Sequence, residues 1–322
     1  MTNLASQPPV DAAPQTPQAE QRGRLIDQMK RTFGPSIMPL FDDPLVVEIM
    51  LNPDGKLLVE RHGIGITEAG VLSETLARNV INLVAASLET VAGPDRPILE
   101  GALPREFGGA RFEGVLPPLV ASPTFAIRLR ARTVFTLDQY VDQRIMTLEQ
   151  ADQIKQAVVD RKNILVSGGT GSGKTTLLNA VLHHIASIAG LDQRIVLIED
   201  TAELQCSAPN VVPMLATDQI DMTRLLKATM RLRPDRIVVG EVRDRAALAL
   251  LKSWNTGHPG GAATLHADSA ALALLRLDML IQEGGVPSQR DLIREAVHLV
   301  IQISRDPTHP SRRRVVEIRS AI

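Results

Sequence analysis

The sequence predicts an α/β protein whose C-terminal half is a parallel β-sheet flanked by helices. Three observations lead to this expectation. From about residue 150, short apolar runs alternate with segments of helical composition, which is the order of a parallel sheet covered by helices. A glycine-rich loop joins one apolar run to one helical segment at 168–175, and acidic residues follow two later apolar runs. Ligands of such sheets bind where the strands end, so these loops form the candidate functional region.

Composition divides the chain into four segments. The first residues are rich in Pro, Gln, Ala and Thr, a composition that cannot bury a core. Thr147-Leu148-Glu149-Gln150 offers a capping-box start for a helix. The predicted segments are a disordered tail at 1–22, an N-terminal domain at 23–135, a linker at 136–150 and a C-terminal domain at 151–322.

The N-terminal domain is expected to combine short strands with one good helix. We predict a short amphipathic helix over Arg24–Phe33, strands over 46–50 and 56–61, and a helix over 73–87, where apolar residues recur at helical spacing.

A further strand is predicted over Phe125–Arg132, where apolar residues alternate strictly with arginines. Its hairpin partner is Arg111–Leu116, across Pro117-Pro118. Arg128, Arg130 and Arg132 would share one face, and because like charges repel, an anionic partner is expected there. A solvated strand face is the alternative.

The strongest local signal is GGTGSGKT at 168–175, which fits the pattern G-x-x-x-x-G-K-[ST] of phosphate-binding loops. Glycines at 168, 171 and 173 are expected to permit a positive φ and to turn backbone N–H groups toward phosphates. Lys174 is placed to reach the β- and γ-phosphates, and the Thr175 hydroxyl is placed to ligate Mg²⁺. The predicted nucleotide-binding residues are Gly168, Gly169, Thr170, Gly171, Ser172, Gly173, Lys174, Thr175 and Thr176.

Carboxylates follow the apolar runs at 194–198 and 237–240. Glu199, Asp200 and Glu203 follow the first run, where they can hold Mg²⁺ or orient an attacking water, and a solvated acidic turn is the alternative. Glu241 follows the second run, at the place from which P-loop enzymes position a metal-bound or nucleophilic water.

A Gly-Pro-Gly segment precedes a short predicted strand that ends in His266. The imidazole would lie at the same sheet edge and sense the γ-phosphate; a purely structural histidine is the alternative. The charged run at 231–236 is expected at a surface, either between subunits or in solvent.

Composition argues against several classes of protein. The net charge of −1 provides no general basic field for nucleic acid or anionic membrane. A single cysteine, Cys206, excludes an internal disulfide and a multi-cysteine zinc site. No apolar run approaches the roughly 20 residues of a membrane helix, and the N-terminus lacks the pattern of a secretory signal. We expect a cytoplasmic protein with at most peripheral membrane contact.

Four blocks together resemble the secretion-type ATPase superfamily, whose members serve type II and type IV secretion, pilus assembly and conjugation. They are GGTGSGKTT (168–176), IEDTAEL (198–204), LRPDRIVVGEVRD (232–244) and GHPGGAATLHADS (257–269). The run at 250–261 is similar to the conjugal-transfer branch, the TrbB-type ATPases of type IV secretion. The resemblance implies a C-terminal RecA-like P-loop NTPase domain, a smaller N-terminal PAS-like α/β domain and a ring of six copies.

The resemblance also implies a function and residue roles. It implies an ATPase that uses ATP and Mg²⁺ to power type IV secretion or conjugal transfer at the cytoplasmic face of the inner membrane, with inner-membrane components of the secretion system as partners. Glu241, Glu203 and His266 match catalytic positions beside Lys174, with Thr175, Glu203 and Glu241 as Mg²⁺ ligands. Arg128 matches an arginine that binds terminal phosphates in relatives, with Arg111 and Arg130 as companions.

Two other functions stay open from sequence. A RecA-like nucleic-acid motor needs a basic channel and stacking aromatics, whereas aromatics make up only 2% of this chain and no stable nucleic-acid binding is expected. A nucleotide-dependent scaffold that barely hydrolyses would not need the acids that follow the apolar runs at 194–198 and 237–240. Both acidic positions are present, which disfavours a scaffold. Within the superfamily, a type II secretion or type IV pilus ATPase is the alternative.

Overall fold

The computed structural model describes residues 17–61, 63–130, 134–217 and 219–321. The chain divides into two compact units, unit 1 up to Arg130 and unit 2 from Ala131 onward. Within the described ranges, no helix combines the length and the apolar character needed to cross a membrane.

Unit 1 is built on a six-stranded antiparallel sheet with the strand order β3-β2-β1-β6-β5-β4. Side chains from both helices and from the sheet share one apolar core, which includes Ile37, Ile49, Ile81, Phe112 and Ile127. The elements are α1 (Pro17–Asp42), β1 (Val46–Leu51), β2 (Lys56–Arg61), β3 (Gly65–Val71), α2 (Glu74–Ser87), β4 (Ile98–Ala102), β5 (Arg111–Val115) and β6 (Thr124–Arg128).

The first helix is longer than the predicted segment Arg24–Phe33. Residues 17–22, expected in the disordered tail, are helical, and the rest of that tail lies outside the described residues. At the other end, α1 continues through a kink at Gly34, where φ is 55°. Pro35 directly follows the kink. It lies in the first turn of the second helical part, where a backbone N–H donor is not needed. The buried side chains of α1 continue beyond the kink with Ile37.

The predicted hairpin of unit 1 is confirmed, because β5 and β6 pair in antiparallel register with Phe112 opposite Ile127. The strand is shorter than expected. It ends at Arg128, Arg130 follows it outside regular structure, and Arg132 lies outside the described residues.

Unit 2 is a seven-stranded sheet with the order β13-β12-β7-β11-β10-β8-β9, parallel except for β13. Alternate residues of β7 enter two different apolar cores, so both faces are covered and the predicted helix-flanked parallel sheet is confirmed. The elements are α3 (Leu137–Asp142), α4 (Leu148–Val159), β7 (Ile164–Gly168), α5 (Lys174–Ile188), β8 (Ile195–Glu199), β9 (Val211–Leu215), α6 (Met222–Thr229), β10 (Arg236–Val239), α7 (Ala246–Asn255), β11 (Ala262–His266), α8 (Ala270–Glu283), α9 (Arg290–Ala296), β12 (Leu299–Arg305) and β13 (Arg313–Ser320).

The segment predicted as a linker, 136–150, contains the helix α3. A capping box opens it, in which the Thr136 hydroxyl accepts the Gln139 N–H and the Gln139 side chain accepts the Thr136 N–H. The capping box predicted at Thr147 and Gln150 is confirmed as the start of α4.

One residue of the charged run at 231–236 lies in the core, contrary to the expected surface position. Arg236 is 1% exposed and donates to the carbonyls of Gly260 and Val158 and to Gln193 Oε1, at 3.0, 3.3 and 3.2 Å. Burial lowers the pKa of its guanidinium to about 10, so it stays charged at neutral pH. The three acceptors compensate for the cost of burying that charge.

Candidate functional site

The glycine-rich loop connects the end of β7 to the start of α5, as predicted. Gly171 and Gly173 have φ of 66° and 98°, which confirms the expected left-handed conformation at both positions. Gly168 does not adopt a positive φ, contrary to the prediction. It is glycine for a different reason: a Cβ there would collide with the Ile303 carbonyl oxygen and lie 2.5 Å from the Ser172 hydroxyl.

Helix α5 begins at Lys174 without a side-chain cap. The N–H groups of a first helical turn have no partner within the helix, and together with the helix dipole they favour an anion. Thr175 and Thr176 are half-buried in this first turn, and Thr170 is exposed at the loop tip. The Gly169 carbonyl accepts from Lys174 Nζ at 3.1 Å. The loop therefore has the donors and the local dipole of a phosphate site.

His266 lies beside this loop because β11 pairs with β7 in parallel, with His266 opposite Gly168. Both ring nitrogens of His266 are 3.3 Å from Lys174 Nζ. The imidazole therefore lies at the ligand edge of the sheet, as predicted.

Glu241, which follows β10, lies beside His266 at the same sheet edge. Its Oε1 lies 3.0 Å from His266 Nε2, and its Oε2 accepts from Arg243 Nη2 at 2.6 Å. Arg243 also donates to Asp200 Oδ2 at 3.0 Å. A continuous polar chain thus connects Lys174, His266, Glu241, Arg243 and Asp200 across three strand ends.

The Glu241 carboxyl is held in its charged form. Burial by itself would raise its pKa, but the hydrogen bond from Arg243 and the charges of Arg243, His266 and Lys174 keep that pKa below its ordinary value. Only 19% of the side chain is exposed. A half-enclosed carboxylate that stays ionised can accept a hydrogen bond from water and orient it.

The three acids at the end of β8 and just after it, Glu199, Asp200 and Glu203, have different environments. Glu199 is 4% exposed, and its Oε1 accepts the N–H groups of Glu203 and Leu204, both at 2.8 Å. It therefore anchors the loop that carries Glu203. Asp200 pairs with Arg243, and Glu203 is half-buried, so Glu203 is better placed than Glu199 to meet a ligand.

Asn179, a buried residue of α5, was not among the predicted site residues. Its Nδ2 donates to the Glu203 carbonyl at 3.1 Å, and its Oδ1 accepts the Gln205 N–H at 2.9 Å. A polar residue on the apolar face of a helix that begins in a phosphate loop was the available signal. Asn179 fixes the acidic loop to the helix of the phosphate loop.

Gly240 makes room for the buried acid. A Cβ at residue 240 would lie 3.0 Å from Glu199 Cγ, so a larger residue would displace that carboxylate.

The donors at this edge are suited to Mg²⁺, which takes one or two carboxylates together with phosphate oxygens and water. In the described part of the chain, no three or more His, Cys, Asp or Glu residues form a group that could hold a metal ion. The predicted ligands Thr175, Glu203 and Glu241 stay a prediction.

The predicted phosphate-binding arginines of the N-terminal half all lie in unit 1. Arg128 on β6 is opposite Arg111 on β5 and opposite Glu48 on β1, so one carboxylate and two cations form a row across three strands. A Cβ at Gly109 would lie 3.3 Å from the Arg130 guanidinium carbon. Arg128 and Arg130 are exposed.

Comparison with known proteins gives a consistent result. Residues 97–319 match the family model described as type II/IV secretion system protein. The chain is 49% identical over 301 residues to the conjugal transfer protein TrbB of Rhizobium radiobacter, covering 94% of this chain and 92% of that protein. It is 32% identical to the type IV secretion system protein PtlH of Bordetella pertussis, covering 85% and 89%. The X-ray structure of the Legionella pneumophila ATPase DotB shares the fold, with a TM-score of 0.64 at 19% identity, and the match covers 98% of this chain and 84% of DotB.

Proposed function

The chain belongs to the type II/IV secretion system protein family, and from that premise we propose that it is an ATP-hydrolysing motor of type IV secretion that serves conjugal transfer. One observation carries the proposal: Lys174, His266 and Glu241 meet beside the phosphate loop. A P-loop lysine neutralises charge on the transferred phosphoryl group, and an ionised carboxylate beside it can orient the attacking water. Similarity to TrbB supports the conjugal branch over a type II secretion or pilus ATPase.

Nucleotide binding is assigned to residues 168–176. Their backbone N–H groups bind the phosphates, and Lys174 Nζ binds the β- and γ-phosphate oxygens. Thr175, Glu203 and Glu241 would hold Mg²⁺, which would neutralise charge on the phosphates.

The catalytic roles follow from the polar chain. Glu241 orients the attacking water, and His266, which lies between Lys174 and Glu241, senses the γ-phosphate. Glu203 is the second catalytic acid, positioned through the two Asn179 hydrogen bonds to its loop.

We propose a closed ring of six copies at the cytoplasmic face of the inner membrane, in contact with inner-membrane components of a type IV secretion system. This assembly rests on the family resemblance. The exposed arginines Arg231 and Arg233, just before β10, are candidates to meet a neighbouring copy in a cyclic arrangement.

The test is a steady-state ATPase measurement on the purified full chain, alone, with DNA and with membrane vesicles, alongside native mass spectrometry. We expect Mg²⁺-dependent turnover without DNA and a six-subunit mass with a non-hydrolysable ATP analogue. Turnover that requires DNA would identify a nucleic-acid motor, and binding without turnover would identify a scaffold. A monomer under every nucleotide condition would contradict the ring.

The three unit 1 arginines form a separate part of the proposal, which rests on the resemblance: Arg128 binds the terminal phosphate, with Arg111 and Arg130 as companions. Arg128→Ala should bind nucleotide but lower turnover by about tenfold or more, because a bidentate guanidinium contact to phosphate would be lost. Phosphate release is measured beside Arg78→Ala, a partly exposed arginine of α2 that pairs with Glu74. Equal turnover in the two variants would rule out the role of Arg128.

A further inference from the structure

The end of β12 reaches the same sheet edge as the phosphate loop. This strand runs parallel to β7, with Ile301 opposite Val166 and Gln302 opposite Ser167. Gln302 also donates to the Ala267 carbonyl at 3.2 Å, which fixes β12 to the segment after β11. Arg305, the last residue of β12, therefore lies at the carboxyl end of a parallel strand, where ligands of such sheets bind.

Two arginines of the β12–β13 hairpin contact the phosphate loop through its glycines. Arg305 Nη2 occupies the place where a Cβ of residue 171 would stand, with the guanidinium carbon 3.1 Å from that point. A Cβ of residue 173 would lie 3.2 Å from both Cδ and Nη1 of Arg313, the residue opposite Arg305 in the hairpin. The absence of side chains at these two loop positions lets both guanidiniums approach the backbone.

The charge of Arg305 is not neutralised by a carboxylate within the described chain, where it makes no ion pair, and its side chain is exposed. The adjacent acid, Asp306, instead accepts the Thr308 N–H and hydroxyl within its own turn, at 3.0 and 2.6 Å. Arg305 thus adds positive charge at the rim of a loop that already carries Lys174 and an uncapped helix N-terminus.

We propose that Arg305 is a further nucleotide-binding residue, which donates to the phosphates of a bound nucleoside di- or triphosphate from the β12–β13 hairpin, with Arg313 as a neighbouring cation. This inference rests on the proposed function of the loop. Arginine suits the role because its planar fork binds two phosphate oxygens at once and its charge never titrates in the physiological range. The hairpin lies outside all four sequence blocks of the resemblance.

The test measures affinity for fluorescent ADP and ATP analogues with Mg²⁺ at low and high salt. Compared with the parent chain, Arg305→Ala should weaken both affinities by about tenfold at low salt and by less at high salt, because salt screens an exposed charge. Arg305→Lys should recover part of the loss. Arg319→Ala is the matched control, an exposed arginine toward the other end of β13, and should stay within about twofold of the parent.

The outcomes separate the inference from the function on which it rests. If the parent chain binds no nucleotide, the proposed function is wrong. If the parent binds and Arg305→Ala binds equally well, only the role of Arg305 is wrong. An equal loss at both salt concentrations with a lower thermal unfolding midpoint and no recovery by lysine would mean that Arg305 only shapes the loop, which also overturns the inference.

Discussion

Lys174→Ala should abolish ATP turnover, by at least about 100-fold, while leaving the fold intact. The expected size is that of removing one charged donor from a developing phosphoryl charge in an enclosed site. The substitution also removes the contact with His266, which connects the phosphate loop to Glu241. Lys174 begins a helix of 15 residues whose buried side chains hold it against the sheet without the lysine.

Phosphate release and thermal unfolding are measured on the same preparation. Lys252→Ala, an exposed lysine near the end of α7, is the control and should keep parental turnover. A Lys174→Ala protein that retains near-parental turnover would refute the assignment of the phosphate loop. Loss of turnover with a large drop in the unfolding midpoint would instead show a structural role for the lysine.

The sequence was sufficient for the parts of the site that follow strand ends. Glu241 and His266 stand at the ends of apolar runs, and Lys174 follows another such run through the phosphate loop. In a parallel sheet such ends meet at one edge. The family expected from the four sequence blocks is confirmed by the match over 97–319. These predictions need only local pattern and one rule of sheet geometry.

Residues whose role depends on distant contacts could not be predicted in the same way. Glu199 and Glu203 are four residues apart in one acidic box, and only burial distinguishes the anchor from the half-exposed acid. Arg236 has a charged neighbourhood in sequence, yet its partners Val158 and Gly260 come from other parts of the chain. Local composition contains no information about such acceptors.

Short helices and helix ends were the weakest predictions for a similar reason. The box at Thr136 and Gln139 begins a helix of six residues, too short for a periodic apolar pattern to appear. In α1, Pro35 and Pro39 suggest an interruption, whereas burial of Phe33 and Ile37 keeps the segment packed on both sides of the kink. Tertiary packing decided both cases.

Glu241→Gln should keep nucleotide binding and slow hydrolysis by about 100-fold or more. Glutamine preserves the shape of the side chain but cannot accept a proton or orient water as a carboxylate does. It also removes the negative charge that pairs with Arg243 and His266, each within 3.0 Å, so Arg243 would keep its ion pair with Asp200 but lose the one with residue 241. The measurements are the affinity for a fluorescent ATP analogue and single-turnover phosphate release on the same protein.

Two further variants make the result specific to the Glu241 carboxylate. Glu241→Asp keeps the charge but shortens the side chain, and we expect it to retain more turnover than Glu241→Gln because a carboxylate can still reach water from the end of β10. Glu283→Gln alters an exposed acid that pairs with Arg276 on α8 and should leave both measurements unchanged. If affinity and turnover fall together in Glu241→Gln, the Glu241 carboxylate has a structural role, in which it holds Arg243 at the sheet edge, and it does not orient the attacking water. A selective loss of turnover, partly restored in Glu241→Asp, places the carboxylate at the chemical step.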